Sequence, residues 1–292
     1  MTDVQLPSRL SYSSLSAYSE CGERWRLERL HKVPAESWFA TVAGTAIHEI
    51  TEMIDRQEIG AYSGPIPEFK GIFDREIRQA EDEGTILRIS GSKRTKLCID
   101  GGPNKRDYDW WLIYGPQMIE SWQDWKTDNG WQLATLPDGT PGIEVPLYSP
   151  LAGRNFLGYI DRLYVYPNGD LVIVDLKSGN VPASTTQLGH YRVALKRTYG
   201  LVADWGAYWM GTSGELHTLT YLGEYTDELV EHQYAMAWAG IEAGVFLPNI
   251  TSNCRTCGVR AYCRAKGGEL SKQIPVVSFD TTLGVAFAGQ GG

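Results

Sequence analysis

No stretch of the 292 residues approaches the roughly 18 consecutive apolar residues of a membrane span. The opening segment, Met1 to Leu10, lacks the basic-then-apolar layout of a secretory leader, so the expectation is a soluble, cytoplasmic chain with no membrane partner. Positive charge is short too: 27 Lys and Arg face 35 Asp and Glu, a formal net charge of -8, and no global field draws in a polyanion. Cysteine is sparse, five in all, and without a secretion signal these read as metal ligands before they read as a disulfide framework. No G-x-x-x-x-G-K-[ST] loop occurs, so ATP-driven work of that kind would belong to a partner. Internal repeats and low-complexity tracts are absent, which sets aside solenoids and disordered linkers.

Local basic clusters remain despite the acidic total. They are Arg24, Arg26, Arg29, His31 and Lys32; Lys93, Arg94 and Lys96; and Arg255, Arg260, Arg264 and Lys266. Each is a phosphate-contact candidate or a solvated surface. A centre that gathers carboxylates around divalent metal is acidic by design, so the net charge does not argue against it.

Ser11, Ser13 and Ser14 offer helix caps, and Leu15, Tyr18 and Trp25 follow at helical spacing, which places Cys21 on or beside a helix. Ala43, Ile47, Ile50 and Ile54 predict a second helix closed by Gly60, with His48 beside its apolar stripe. Residues 61 to 135 hold Gly101-Gly102-Pro103 and Trp110, Trp111, Trp122 and Trp125, and read as a mostly helical insertion. Its tryptophans either pack or stack bases. From Ile143 the texture turns to strands at Ile143 to Tyr148, Phe156 to Tyr166, Leu171 to Lys177, Val202 to Met210 and Glu215 to Leu222. Helices are expected from about Thr185 to Tyr199 and Asp227 to Val245, giving an α/β or α+β core with a covered sheet.

The most informative local signal is Tyr166-Pro167-Asn168-Gly169-Asp170. Pro167 suits the first central position of a type I turn, and Gly169 supplies the left-handed residue of a three-residue hairpin loop. With Tyr166 facing Asp170, counting back pairs Leu163 with Ile173, Asp161 with Asp175 and Tyr159 with Lys177. Asp161, Asp175 and Lys177 then share a face, and two carboxylates set opposite each other need a cation or a proton between them. A two-residue Asn-Gly turn would slip the register by one and send Asp161 to the other face.

These residues resemble a known family. Gly158-Tyr159-Ile160-Asp161 followed by Val174-Asp175-Leu176-Lys177 is similar to the G-x-x-D and (D/E)-x-K core of RecB-like PD-(D/E)xK nucleases. Gly44-Thr45-Ala46-Ile47-His48 resembles the G-x-x-x-H helix of that family, and Gln187-Leu188-Gly189-His190-Tyr191 its later Q-x-x-x-Y motif. Cys21, with Cys254-x-x-Cys257 and Cys263, resembles the cysteine set of CRISPR-associated and phage-encoded exonucleases of this class. The motifs are short and specific only jointly, in order, and the resemblance covers little of residues 60 to 140.

The resemblance implies an α/β, restriction-endonuclease-like core with a mixed sheet flanked by helices, plus the helical insertion and a C-terminal iron-sulfur segment. The expected organisation is N-terminal helices in 1–60, the insertion in 61–140, the nuclease core in 141–248, the cluster segment in 249–272 and a tail in 273–292. It implies a metal-dependent DNA exonuclease acting in a prokaryotic or phage-infected cell, with DNA as substrate and a recombination, helicase or CRISPR-adaptation protein as possible partner. His48, Asp161, Asp175 and the carbonyl of Leu176 would hold Mg²⁺ or Mn²⁺. Lys177 would orient water or offset developing charge, with Gln187 and Tyr191 beside it as catalytic residues. Cys21, Cys254, Cys257 and Cys263 would hold a structural [4Fe-4S] cluster, four thiolates also suiting Zn²⁺, and Cys98 is left as a free thiol. The residues themselves leave blander readings open: His48 as a surface histidine, Gln187 closing a capping box with Ser184, and Tyr191 packing on the sheet. Glu144, between Ile143 and Val145 on a neighbouring strand, is a further candidate for the metal site. A catalytically idle DNA-binding module is the rival function.

Overall fold

The computed structural model describes residues 5–90 and 105–274. Lys93, Arg94, Lys96, Cys98, the Gly101-Gly102-Pro103 turn and nearly all of the tail lie outside them. Among the described residues, no helix is long and apolar enough to cross a membrane.

After β1 (Arg9–Leu10), Ser11 caps α1 (Tyr12–Glu20) by accepting from the Ser14 amide. The expected single helix then breaks at Cys21, whose extended backbone (φ -164°) separates α1 from the short α2 (Gly22–Trp25) and a π-helical turn, Arg26–Leu30. β2 (Glu36–Trp38) leads directly into α3 (Phe39–Glu58), the helix of His48. Ala43, Ala46, Ile47, Ile50 and Ile54 bury one face of α3. Against it pack α4 (Phe69–Asp82) and, beyond β3 (Ile86–Arg88), α5 (Tyr108–Asn129). Three of the four tryptophans of α5 are spent on packing, Trp111 against α3 and α4 and Trp122 and Trp125 against the sheet, while Trp110 is half-buried. Trp111 and Trp122 are fully buried and Trp125 nearly so, which leaves them no face for a base.

The sheet begins with β4 (Gln132–Leu133) and β5 (Ile143–Leu147), and the short β6 (Pro150–Leu151) and β7 (Arg154–Phe156) form a separate three-stranded sheet with β1. The central strands are β8 (Gly158–Val165), β9 (Leu171–Lys177) and β10 (Trp205–Met210), ordered β10-β9-β8, with β8 flanked by β4 and β5. β8 and β9 run antiparallel through the hairpin, and α6 (Thr186–Tyr199) carries the chain over to a parallel β10. The expected strand over 215–222 is two fragments, β11 (Glu215–Leu216) and β12 (Thr220–Tyr221), both pairing β10. α7 (Asp227–Glu242) closes the layer beside α6.

Alternation along β8 and β9 divides the core. Leu163 and Ile173 meet Leu188 of α6, whereas Tyr164, Val172, Val174 and Leu176 meet Trp122 and Trp125 of α5. A mixed sheet with both faces covered by helices is the architecture expected for this core.

Candidate active site

The hairpin follows the longer-loop register. Tyr166 donates its amide to the Asp170 carbonyl at 2.8 Å, Gly169 takes φ 92°, and Leu163 pairs with Ile173. The paired ladder runs only to Arg162 and Val174, however. Continued, it would join Leu176 to Ile160; instead the Leu176 amide donates to Asp161 Oδ2 at 2.7 Å, and the Leu176 carbonyl bonds His48 Nε2 at 2.9 Å. Asp161 and Asp175 are therefore not a laddered pair, and Tyr159 pairs with Pro146 of β5, not with Lys177. The strands part because side chains take over the backbone bonds.

β5 is distorted at the same level. Its pairing with β8 is intact at Ile143–Arg162 and Val145–Ile160, but between them Glu144 adopts φ 46°, the left-handed region. That conformation costs a non-glycine residue on the order of 1 kcal/mol and is found where a side chain must be re-aimed. It aims Glu144 at Asp161. Among the described residues, His48, Glu144 and Asp161 form the group whose ligand atoms all lie within 4.8 Å of one another. His48 Nδ1 stands 3.5 Å from Asp161 Oδ2.

Asp175 and Lys177 lie on the α6 side of this group. Asp175 is almost wholly buried; its Oδ1 accepts from Gln187 Nε2 at 2.8 Å, and its Oδ2 has Lys177 Nζ at 2.6 Å as an ion-pair neighbour without hydrogen-bond geometry. Lys177 also donates to Gln187 Oε1 at 3.1 Å, and Gln187 Nε2 reaches Tyr191 Oη at 3.0 Å. Gln187 is thus spent on the site, and the capping box with Ser184 does not form. Tyr191 packs its ring in the core, and its hydroxyl accepts from Gln187 Nε2.

Charge in this cluster is poorly solvated. Burial, then the nearby Asp161, push Glu144 up to about 8 and Asp175 up to about 6. Burial pulls the Lys177 ammonium down, but Asp175 more than offsets it and the lysine stays above its ordinary value. Three carboxylates and one imidazole, with only Asp175 paired to a lysine, form an oxygen-rich set that a divalent cation would satisfy. The residues fit such an ion.

The sequence does not reveal what anchors the site from beneath. Arg162, beside Asp161 and fully buried, pairs with Asp55 of α3, donates to the Asp161 carbonyl at 2.6 Å, and lies 3.4 Å from both Thr51 Oγ1 and Glu144 Oε1. An arginine sharing one strand face with Ile160 and Tyr164 was the available signal.

The cysteines converge as well. Cys21, Cys254, Cys257 and Cys263 line one small cavity between the α1–α2 junction and the C-terminal turns, and burial raises the Cys257 and Cys263 thiols. The basic residues nearby are less available. Arg24 bridges Glu20 and Glu28, Arg26 is buried against Glu23, and Arg264 bonds the Ile274 carbonyl.

A hairpin that sets Asp161, Asp175 and Lys177 in one curled mixed sheet, facing a helix-borne histidine, defines a nuclease fold. The PD-(D/E)XK nuclease superfamily model matches residues 9–264, and the chain belongs to that superfamily. It is similar to the Gene 69 protein of Mycobacterium phage D29, at 30% identity over 273 residues, covering 90% of this chain and 98% of the relative. The Gene 69 protein of Mycobacterium phage L5 is 28% identical over 305 residues, covering 90% and 99%. The solved structure described as "Crystal structure of SSO0001" overlaps 91% of this chain and 90% of its own, with a TM-score of 0.40 and 10% identity.

Proposed function

We propose that this chain is a RecB-like, Mg²⁺- or Mn²⁺-dependent deoxyribonuclease that hydrolyses phosphodiester bonds at DNA ends, an exonuclease of recombination, repair or DNA-fragment processing in a phage-infected cell. The observation that carries the reading is the convergence of His48, Glu144 and Asp161 within 4.8 Å, beside the Asp175–Lys177 ion pair.

A divalent ion bound there supplies Lewis-acid activation of the scissile phosphate and of the attacking water. His48, Asp161, Asp175 and Glu144 would hold it, with the Leu176 carbonyl, which His48 Nε2 bonds, as a further oxygen donor. Lys177, fixed by Asp175 and Gln187, presents its ammonium where negative charge develops on the phosphate. Gln187 ties Lys177 and Asp175 to Tyr191, so the lysine keeps one orientation.

The four cysteines hold a [4Fe-4S] cluster by this reading. Support comes from their shared cavity, built from both ends of the described chain.

The test is digestion of end-labelled linear DNA by anaerobically purified protein with Mn²⁺ or Mg²⁺. Wild type should shorten the DNA, and Lys177→Ala should lose on the order of 10²-fold or more in rate. Binding without cleavage in both would instead leave an idle DNA-binding module. The same preparation should absorb broadly near 400 nm, with about four irons per chain; a colourless protein carrying one zinc would refute the cluster.

A further inference from the structure

Arg162 is a cation with two carboxylates in reach. Its Nε pairs with Asp55 Oδ2 in a short contact, whereas Nη1 is 3.4 Å from Glu144 Oε1, the long limit for a hydrogen bond. Both Arg162 and Asp55 are buried, at 0% and 1% exposure. Asp55 is itself held by Trp122 Nε1 at 3.1 Å and by Lys126, both of α5. The helical segment before the sheet thus fixes Asp55, and Asp55 draws the guanidinium toward α3. Water is excluded at this depth, so the charge on Arg162 must settle on a carboxylate. Glu144 is the alternative recipient, and Glu144 is also one of the three groups gathered beside His48 and Asp161.

We infer that Asp55 is a positioning residue of the metal site: by engaging Arg162 it keeps the guanidinium from closing on Glu144 and leaves that carboxylate free for a divalent cation. The inference rests on the metal-dependent reading above and names the device that keeps the third ligand available. Asp55 touches no substrate or reacting atom; it acts through Arg162.

The experiment is a Mn²⁺ titration of the full chain, followed by the loss of the free-Mn²⁺ electron paramagnetic resonance signal. Wild type is compared with Asp55→Asn and with the double variant Asp55→Asn/Arg162→Met. Asparagine keeps the Trp122 hydrogen bond but frees Arg162, so the dissociation constant should rise roughly tenfold or more, the usual scale for an outer-shell partner. The double variant removes the captor as well, and affinity should return toward wild type. A merely structural pair would shift the melting temperatures of the variants, the single more than the double, but would leave the Mn²⁺ dissociation constant of the folded proteins unchanged. Should Asp55→Asn not fold, the double variant still decides, because a buried ion pair is often replaceable by apolar bulk.

Wild-type affinity in a folded Asp55→Asn protein would overturn the inference, and so would a double variant that binds Mn²⁺ no better than Asp55→Asn. If wild type itself holds no Mn²⁺ that Asp161→Asn loses, the proposed function falls and the inference falls with it.

Discussion

Glu144 and Asp175 show how single residues carry this site. Glu144 is half-buried and Asp175 buried, both next to Asp161, with a pKa pushed up to about 8 and about 6 respectively, so each holds its proton at a pH where the unfolded chain has released it. Between about pH 4 and 8 the metal-free folded state therefore binds more protons than the unfolded state, and this pair lowers stability as pH rises. A divalent cation displaces those protons, so its stabilising effect grows over the same window. His190, buried and lowered to about 4, contributes with the opposite sign, because the unfolded chain protonates first as pH falls. The clean readout is accordingly the increment in Tm on adding Mn²⁺, measured at about pH 5.5, 7 and 8.5. It should rise at each step; an increment independent of pH would remove these two carboxylates from the ion's binding site.

At the scale of elements, much was legible. Tyr166 to Asp170 reads as a three-residue hairpin because proline and glycine each satisfy one backbone requirement, and the expected Leu163–Ile173 register follows from it. The apolar stripe of α3 likewise predicts a helix with His48 at its margin. What could not be read is where the ladder stops. That depends on Asp161 and His48 capturing the amide and carbonyl of Leu176, and on Glu144 leaving the extended conformation, both tertiary outcomes with no local pattern. Cys21 ending α1 was hidden for the same reason, since its backbone is bent to meet residues more than two hundred positions away.

One element contact links the cysteine segment to the helix of His48. Glu36 of β2 donates its amide to the Gly258 carbonyl at 2.9 Å, and α3 begins three residues later. A Cβ on Gly258 would stand 2.2 Å from the Glu36 carbonyl oxygen, a backbone atom that cannot swing aside. Gly258→Ala should therefore cost about 1–3 kcal/mol and lower Tm by several degrees. Gly71→Ala, where a Cβ on α4 meets nothing, should be neutral or slightly stabilising. Equal melting of Gly258→Ala and wild type would show that this junction bears no strain.

Across the whole molecule, the described chain is organised around two convergences. Both ends supply the cysteine cavity, while α3, β5, β8, β9 and α6 each send one or two side chains to the carboxylate cluster. The acidic total charge fits this plan, because the residues that make the protein acidic include the carboxylates of the proposed metal site. Order in the chain made the plan visible: the histidine, the two aspartates, the lysine and the glutamine are weak signals singly and informative in series. The Asp55–Arg162 pair had no such series, and only the packing of α3 and α5 against β8 exposes it.

The central claim is that His48, Glu144, Asp161 and Asp175 surround a divalent cation. It is tested most directly by anomalous scattering from a crystal of the protein grown or soaked with Mn²⁺. A strong manganese peak is expected, bonded to Asp161 and at least one of His48, Glu144 and Asp175, with oxygen distances of about 2.0–2.3 Å. A crystal that binds Mn²⁺ elsewhere, with this cluster hydrogen-bonded to itself and vacant, would contradict it.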